Sequence, residues 1–158
     1  MTNASDLIKN ILDDMRVELT ETFDRHFERK GFFGAPWKPR VERKTRGRKP
    51  KGSLLLVTGA MRRSIRAAVR GNALRYTSSL PYATVHNEGG RLAQRVRAHA
   101  RTNRRTGKTS PVRAHDRVID MPRRQFIGDH PEVQRAVREI INDNLAAFFN
   151  ELAKQIKP

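Results

Sequence analysis

The sequence predicts an α+β fold: an antiparallel sheet packed by long N- and C-terminal helices, with a basic β-hairpin projecting from it. Three observations lead there. Apolar residues recur at helical spacing toward both ends of the chain. Short alternating segments separated by turn residues fill its middle. An excess of positive charge is gathered into two stretches of that middle.

The first helix is expected over residues 5–30. Leu7, Ile8, Ile11, Leu12, Met15, Leu19, Phe23 and Phe27 recur at three- and four-residue steps, which lines them along one side of a helix. Ser5 or Asp6 suits its N-cap and Gly31 its stop. The same spacing predicts a last helix over residues 131–156, with Val133, Val137, Ile140, Ile141, Leu145, Phe148, Leu152 and Ile156 as its stripe. Pro131 fits the first turn, and Asp129 the cap before it. The two stripes are expected to be buried together. Asp13, Asp14, Glu18 and Glu21 fall on the polar side of the first helix and read as solubility charges.

Between the helices the period changes. Ile65, Ala67 and Val69 alternate with Arg66, Ala68 and Arg70; Gly71-Asn72 is a turn signal; Ala73–Ser78 follows with Leu74 and Tyr76 on one face. That is a β-hairpin. Pro81–Glu88 reads as a short helical turn ending at Gly89-Gly90. Next comes a near-repeat: Val96-Arg97-Ala98-His99-Ala100-Arg101 reappears as Val112-Arg113-Ala114-His115-Asp116-Arg117. Thr106-Gly107-Lys108 supplies a turn, so the two copies are expected to be the strands of one long hairpin. Alternation would place Arg97, His99, Arg101, Arg113, His115 and Arg117 on one face. Val96, Ala98, Ala100, Val112 and Ala114 would then line the other.

The formal net charge of +17 is unevenly spread. Lys38–Lys51 hold eight lysines and arginines against Glu42, and Arg91–Arg117 hold nine against Asp116, while the rest has 16 bases to 14 acids. Two such segments are footprints for a polyanion. Nucleic acid and the acidic surface of a neighbouring subunit are both open readings, with a solvated loop the plainer account of residues 38–51. Aromatic residues are sparse in both, so stacking on single-stranded bases is not supported. The hydrophobic share of 37% is low for a compact globule and implies that part of the chain lies outside the core.

Several function classes fall away. Without cysteine there is no disulfide framework, thiolate nucleophile or cysteine metal site. No run reaches the eighteen or so apolar residues that span a bilayer, and the polar Met1–Asp6 has no signal-peptide core, so synthesis and use in a cytoplasm are expected. His26, His86, His99, His115 and His130 are scattered. His99 and His115 could face each other across the hairpin, but the arginines around them repel a cation. There is no His-Glu-x-x-His, phosphate-binding loop or Gly-x-Ser-x-Gly, and Asp116, Asp120 and Asp129 make no convincing acid pair. No metal, cofactor or catalytic residue is expected.

Four further motifs stand in order between the terminal helices: Gly34-Ala35-Pro36-Trp37-Lys38-Pro39; Leu54-Leu55-Leu56-Val57-Thr58-Gly59-Ala60-Met61-Arg62-Arg63-Ser64-Ile65; Tyr82-Ala83-Thr84-Val85-His86-Asn87-Glu88-Gly89-Gly90; and Met121-Pro122-Arg123-Arg124-Gln125-Phe126-Ile127-Gly128. Together they resemble the Mu-like phage virion morphogenesis (tail completion) proteins. The resemblance implies a non-enzymatic virion component acting at the head–tail junction, in the neck or tail. It further implies a homo-oligomeric ring, with six-fold symmetry the expectation. Phage neck, portal-side and tail tube proteins would be its neighbours, with genomic DNA in the channel as a further contact and no membrane partner. The motif residues Trp37, Thr58, Gly59, Tyr82, His86, Gly89, Pro122, Arg124, Phe126 and Gly128 are then structural. Thr58-Gly59 suits a tight turn, and Tyr82 and His86, four apart, can pack together against the sheet. Pro122 and Gly128 bracket a segment that would carry Phe126 and Ile127 into the core, and Trp37 between prolines suits a rigid anchor.

The whole chain, 1–158, is thus expected to form a single domain carrying a basic loop (38–53) and a basic hairpin arm (91–120). Arg46, Arg48 and Lys49 of the loop, and Arg97, Arg101, Arg104, Arg105, Arg113 and Arg117 of the arm, are the expected contacts to partner proteins or DNA. The competing reading is a plain nucleic-acid-binding protein with the arm lying along phosphates. Symmetry separates the two, because a ring needs subunit-to-subunit surfaces and a simple binder does not.

Overall fold

A computed structural model of the protein describes residues 3–40 and 52–156. In chain order the elements are α1 (Ala4–Arg29), β1 (Gly31–Phe32), β2 (Ala35–Pro36), α2 (Ala60–Ser64), β3 (Ile65–Arg70), β4 (Ala73–Ser78), α3 (Tyr82–Glu88), β5 (Gly90–Val96), β6 (His99–Thr102), β7 (Thr109–Val112), β8 (His115–Met121) and α4 (Pro131–Ile156). The class is α+β, with antiparallel strand pairs between two long terminal helices, as the periodicity indicates. One expectation needs correcting. The strands do not form a continuous sheet; among the described residues they make four separate pairs, β1–β2, β3–β4, β5–β8 and β6–β7. β1–β2, β3–β4 and β6–β7 are each closed by a local turn, and β6–β7 continues the β5–β8 ladder outward.

The helix ends also differ from expectation in detail. Asn3, rather than Ser5 or Asp6, caps α1, its side-chain oxygen accepting the Asp6 N–H at 2.9 Å. Lys30 takes the left-handed conformation that ends the helix (φ 54), and its N–H donates to the His26 carbonyl. Gly31 serves a different need: a Cβ there would lie 2.7 Å from the Ala35 carbonyl oxygen, so only glycine lets β1 approach β2. At α4, His130 does the capping expected of Asp129. Its ring Nδ1 accepts the Glu132 N–H at 3.2 Å, and the ring stacks on Phe33 with centroids 4.3 Å apart. Asp129 instead holds the Gln134 side chain.

Two clusters make the core. Phe27, Trp37, Met61, Ala83 and Phe126 form one, with Leu54, Leu55, Leu56, Ile65, Leu80 and Ile127 packed against it. Leu19, Phe23 and Phe32 form the other, under Leu74 and Tyr76 of the β3–β4 hairpin and Val133 and Val137 of α4. The register Ala67↔Tyr76 and Val69↔Leu74 puts the apolar residues of that hairpin on one face, which packs toward α1. Phe27 is fully buried, and such burial stabilises the fold by roughly 2–3 kcal/mol. The two helix stripes share burial only partly. Leu12, Leu19 and Ile140 are buried, whereas Phe148 and Leu152 are half-buried and Phe149 is 62% exposed.

Candidate functional site

The motif residues converge on one segment, Pro122–Gly128, which runs through the body as a connector with few contacts of its own kind. Its backbone is held by groups from distant parts of the chain, most of them side chains. The Trp37 indole donates to the Gln125 carbonyl at 2.6 Å. Asn87 Oδ1 accepts two N–H groups, those of Phe126 (2.9 Å) and Ile127 (3.0 Å). The Arg124 N–H donates to the His86 carbonyl at 2.8 Å. His26 Nδ1 lies 3.0 Å from the Phe126 carbonyl, and because a carbonyl only accepts, that nitrogen carries the proton. Burial, with Arg29 and His130 as lesser contributors, holds the His26 pKa below its usual value.

Arg124 turns outward from this connector. It is buried, and its donors go to neutral acceptors: Nε to the Lys38 carbonyl (2.9 Å), Nη2 to the Pro39 carbonyl (3.2 Å) and Nη1 to the Met121 sulfur (3.7 Å). Desolvation, then the neighbouring Arg40, lowers its pKa. The guanidinium therefore ties together the chain entering residues 38–53 and the chain leaving β8. Arg124, Thr58, Tyr82 and His86 line one cavity of about 280 Å³ with Arg40, Leu54, Leu55, Val57 and Met61. Tyr82 and His86 do share a face, their rings 6.1 Å apart, but they border this cavity and do not pack on a sheet. The reason is that another face of α3, with Ala83, Thr84 and Asn87, is the one turned toward Ile65, Tyr76 and Thr77 of the β3–β4 pair. Gly59 takes φ 66 and the Thr58 hydroxyl accepts the Ala60 N–H, which starts α2. At Gly89 a Cβ would lie 2.8 Å from the Arg123 backbone nitrogen, so the two roots of the arm meet backbone to backbone.

From those roots β5–β8 and β6–β7 run outward. Their extensive contacts are with each other alone, and from Gly90 to Met121 only Val96, Val112, Ile119 and Met121 are even half-buried. The pairing overturns the expectation of one basic face. Val96 lies opposite His115, Gln94 opposite Arg117, His99 opposite Val112 and Arg101 opposite Ser110. In these four pairs each arginine or histidine lies opposite an apolar or neutral residue of the other strand. The basic side chains of the two copies point to opposite faces, and His99 and His115 do not meet. Each imidazole instead turns back on its own strand, Nδ1 2.9 Å from the Arg97 or the Arg113 carbonyl.

The inner half of this ribbon is nearly charge-balanced, with Arg91, Arg95 and Arg117 against Asp116 and Asp120. Arg91 pairs with Asp120 across the strands (3.1 Å), and Arg117 donates to Gln94 (3.0 Å). Leu92 and Ile119 share the face of Gln94 and Arg117, opposite that of Arg91 and Asp120. The outer half, residues 97–114, has six bases and no carboxylate: Arg97, Arg101, Arg104, Arg105, Lys108 and Arg113. Asn103 shapes the tip, its side chain accepting the Arg105 N–H and its own N–H donating to the Lys108 carbonyl. Arg46, Arg48 and Lys49 lie outside the described residues. Among the described residues, no cluster of acids and histidines is placed to hold a metal, and no helix is long and apolar enough to cross a membrane.

The structure thus brings the motif residues together as a clamp at the roots of the arm and leaves the arm's arginines spread along an exposed ribbon. Asn87 and His26, both central to the clamp, were not singled out by sequence. The pairing of a polar residue with a motif 39 or 100 positions away leaves no local signature. No curated protein and no solved structure matches this chain. Residues 1–146 match the model of the phage virion morphogenesis family, a span that takes in α1, the clamp, the ribbon and the first part of α4. With nearly the whole length matched, the chain belongs to the phage virion morphogenesis family.

Proposed function

We propose that this protein is a non-catalytic structural subunit at the head–tail junction of a tailed bacteriophage, part of a ring in the neck or tail. One observation carries the reading: an exposed ribbon, rooted in the clamp, whose strands make no extensive contact with the rest of the described residues. A lone two-stranded ribbon is marginally stable in water, so this one is built to be covered by another molecule. Family membership supplies the setting, a virion under assembly, and the carboxylate-free outer half supplies the chemistry, a polyanionic surface. Portal-side, neck and tail tube proteins are the neighbours of a subunit in that place. Assembly would occur in the host cytoplasm.

Deleting Arg101–Pro111 from the phage gene tests this. The body should stay folded while unjoined heads and tails accumulate in electron micrographs of lysates. Full infectious particles at normal yield would overturn the reading. A second reading, contact with DNA in the channel, is favoured by the six bases of the outer half. It requires duplex binding that weakens steeply with salt and is lost with the same deletion.

A further inference from the structure

We infer that the outer half of the ribbon docks on the acidic outer face of helix α1 in a second copy of this chain. The inference rests on the ring reading and names the partner of its arm.

In a chain of net charge +17, α1 is an exception: it carries Asp6, Asp13, Asp14, Glu18, Glu21, Asp24 and Glu28 against Lys9, Arg16, Arg25 and Arg29. Some of these acids are engaged at home. Asp24 and Glu28 hold Arg62, raising its pKa, and Asp13 and Glu21 pair with Arg16 and Arg25. Asp6 and Glu18 make no ion pair among the described residues, and Asp14 meets only the neutral Asn144 amide. Asp14, Glu18 and Glu21 recur at steps of four and three, so they form one exposed stripe on the side away from the buried Leu12, Leu19 and Phe23. Val17, 63% exposed, lies beside that stripe.

The ribbon offers the complement. Arg101, Arg104 and Arg105 stand at and next to the tip, and Val112 shares a face with Arg101 and His99. A surface of bases around an apolar residue thus matches a stripe of acids around another. Twelve residue steps from Gly90 to Thr102 extend about 40 Å, as long as α1 itself, so the ribbon can clear its own body and lie along a neighbour. Among the described residues, α1 makes no extensive contact with the strands of its own ribbon. The contact is also directional. Each copy gives one arm and receives one, which is the head-to-tail geometry that closes into a ring.

The test uses the full-length protein, with its mass measured by sedimentation and native mass spectrometry. Two exposed charge reversals are made, Asp14→Lys with Glu18→Lys, and Arg104→Glu with Arg105→Glu, and circular dichroism checks that each folds. Each reversal alone should weaken self-association about tenfold or more. Mixing the two should restore it, because each reversed tip then meets a reversed helix on the other copy. Unchanged assembly by both variants, or no rescue on mixing, overturns the docking while leaving the ring standing. Loss of duplex DNA binding on tip reversal, with assembly intact, likewise overturns the docking and assigns the tip to DNA. A wild-type protein that stays monomeric at every concentration overturns docking and ring together.

Discussion

Pro122–Gly128 and the ribbon Gly90–Met121 are joined by one peptide bond, yet they are held by opposite means. In the connector, successive residues are fixed by groups far away in sequence: Trp37, Asn87, His86 and His26. In the ribbon, the ladder bonds run only to the partner strand, and the side chains face solvent. The difference teaches where each kind of substitution should register. Changes in the connector's surroundings should cost stability. Changes in the ribbon should leave stability alone and appear only when the protein assembles.

The largest expected effect is at Phe27, the residue most deeply enclosed. Phe27→Ala should lower the free energy of unfolding by about 3–5 kcal/mol in urea titration. A loss under about 1 kcal/mol would mean that the core cluster does not carry the fold. Asn87→Ala should come next. It strips the shared acceptor from the Phe126 and Ile127 amides and should cost about 2 kcal/mol; an unchanged midpoint would show that water replaces it without penalty.

A smaller effect is set by pH. His26 and His86 both have pKa values lowered chiefly by burial, so the folded protein prefers them neutral. As pH falls below the ordinary histidine value of 6.5, the unfolded chain takes up protons that the fold refuses. Stability should therefore be flat above that pH, decline below it, and level off once the lower folded values are passed. Urea midpoints at about pH 7.5 and about pH 5.5 check this, and His26→Phe should reduce the slope. Smallest of all should be Leu92→Ser on the ribbon, within about 0.5 kcal/mol of the parent. A loss of several kcal/mol there would break the comparison, since it would mean that the ribbon packs on its own body.

The sequence was most legible where structure is decided locally. Helical spacing placed α1 and α4 within a residue or so of their observed limits, and Gly71-Asn72 located the β3–β4 turn. Pro122 and Gly128, bracketing their segment, pointed to a buried Phe126, and Trp37, read as an anchor between prolines, is buried as well. What failed was register. Opposed positions along the ribbon all add to the same odd total, so residues an even number apart on the two strands face opposite ways. The two Arg-Ala-His copies are sixteen apart, and their basic side chains split between the faces for that reason alone. One residue more or less in the turn would have united them. The cap at Asn3 rather than Ser5, and the role of Gly31 in a close strand approach, depend on backbone paths that composition does not encode.

Halfway along the ribbon the ladder stops for two residues on each strand, Arg97-Ala98 and Arg113-Ala114, at the same level. Val96 faces His115 below the gap and His99 faces Val112 above it, so the interruption is nearly symmetric about its own centre. Mechanically this makes the appendage a pair of links with an elbow rather than a beam. The inner link is anchored at Gly89 and Arg123, while the outer link carries the uncompensated charge. An elbow lets that outer link choose its angle after the shoulder is fixed. On the function proposed above, a subunit so jointed would meet neighbouring surfaces that sit at different tilts.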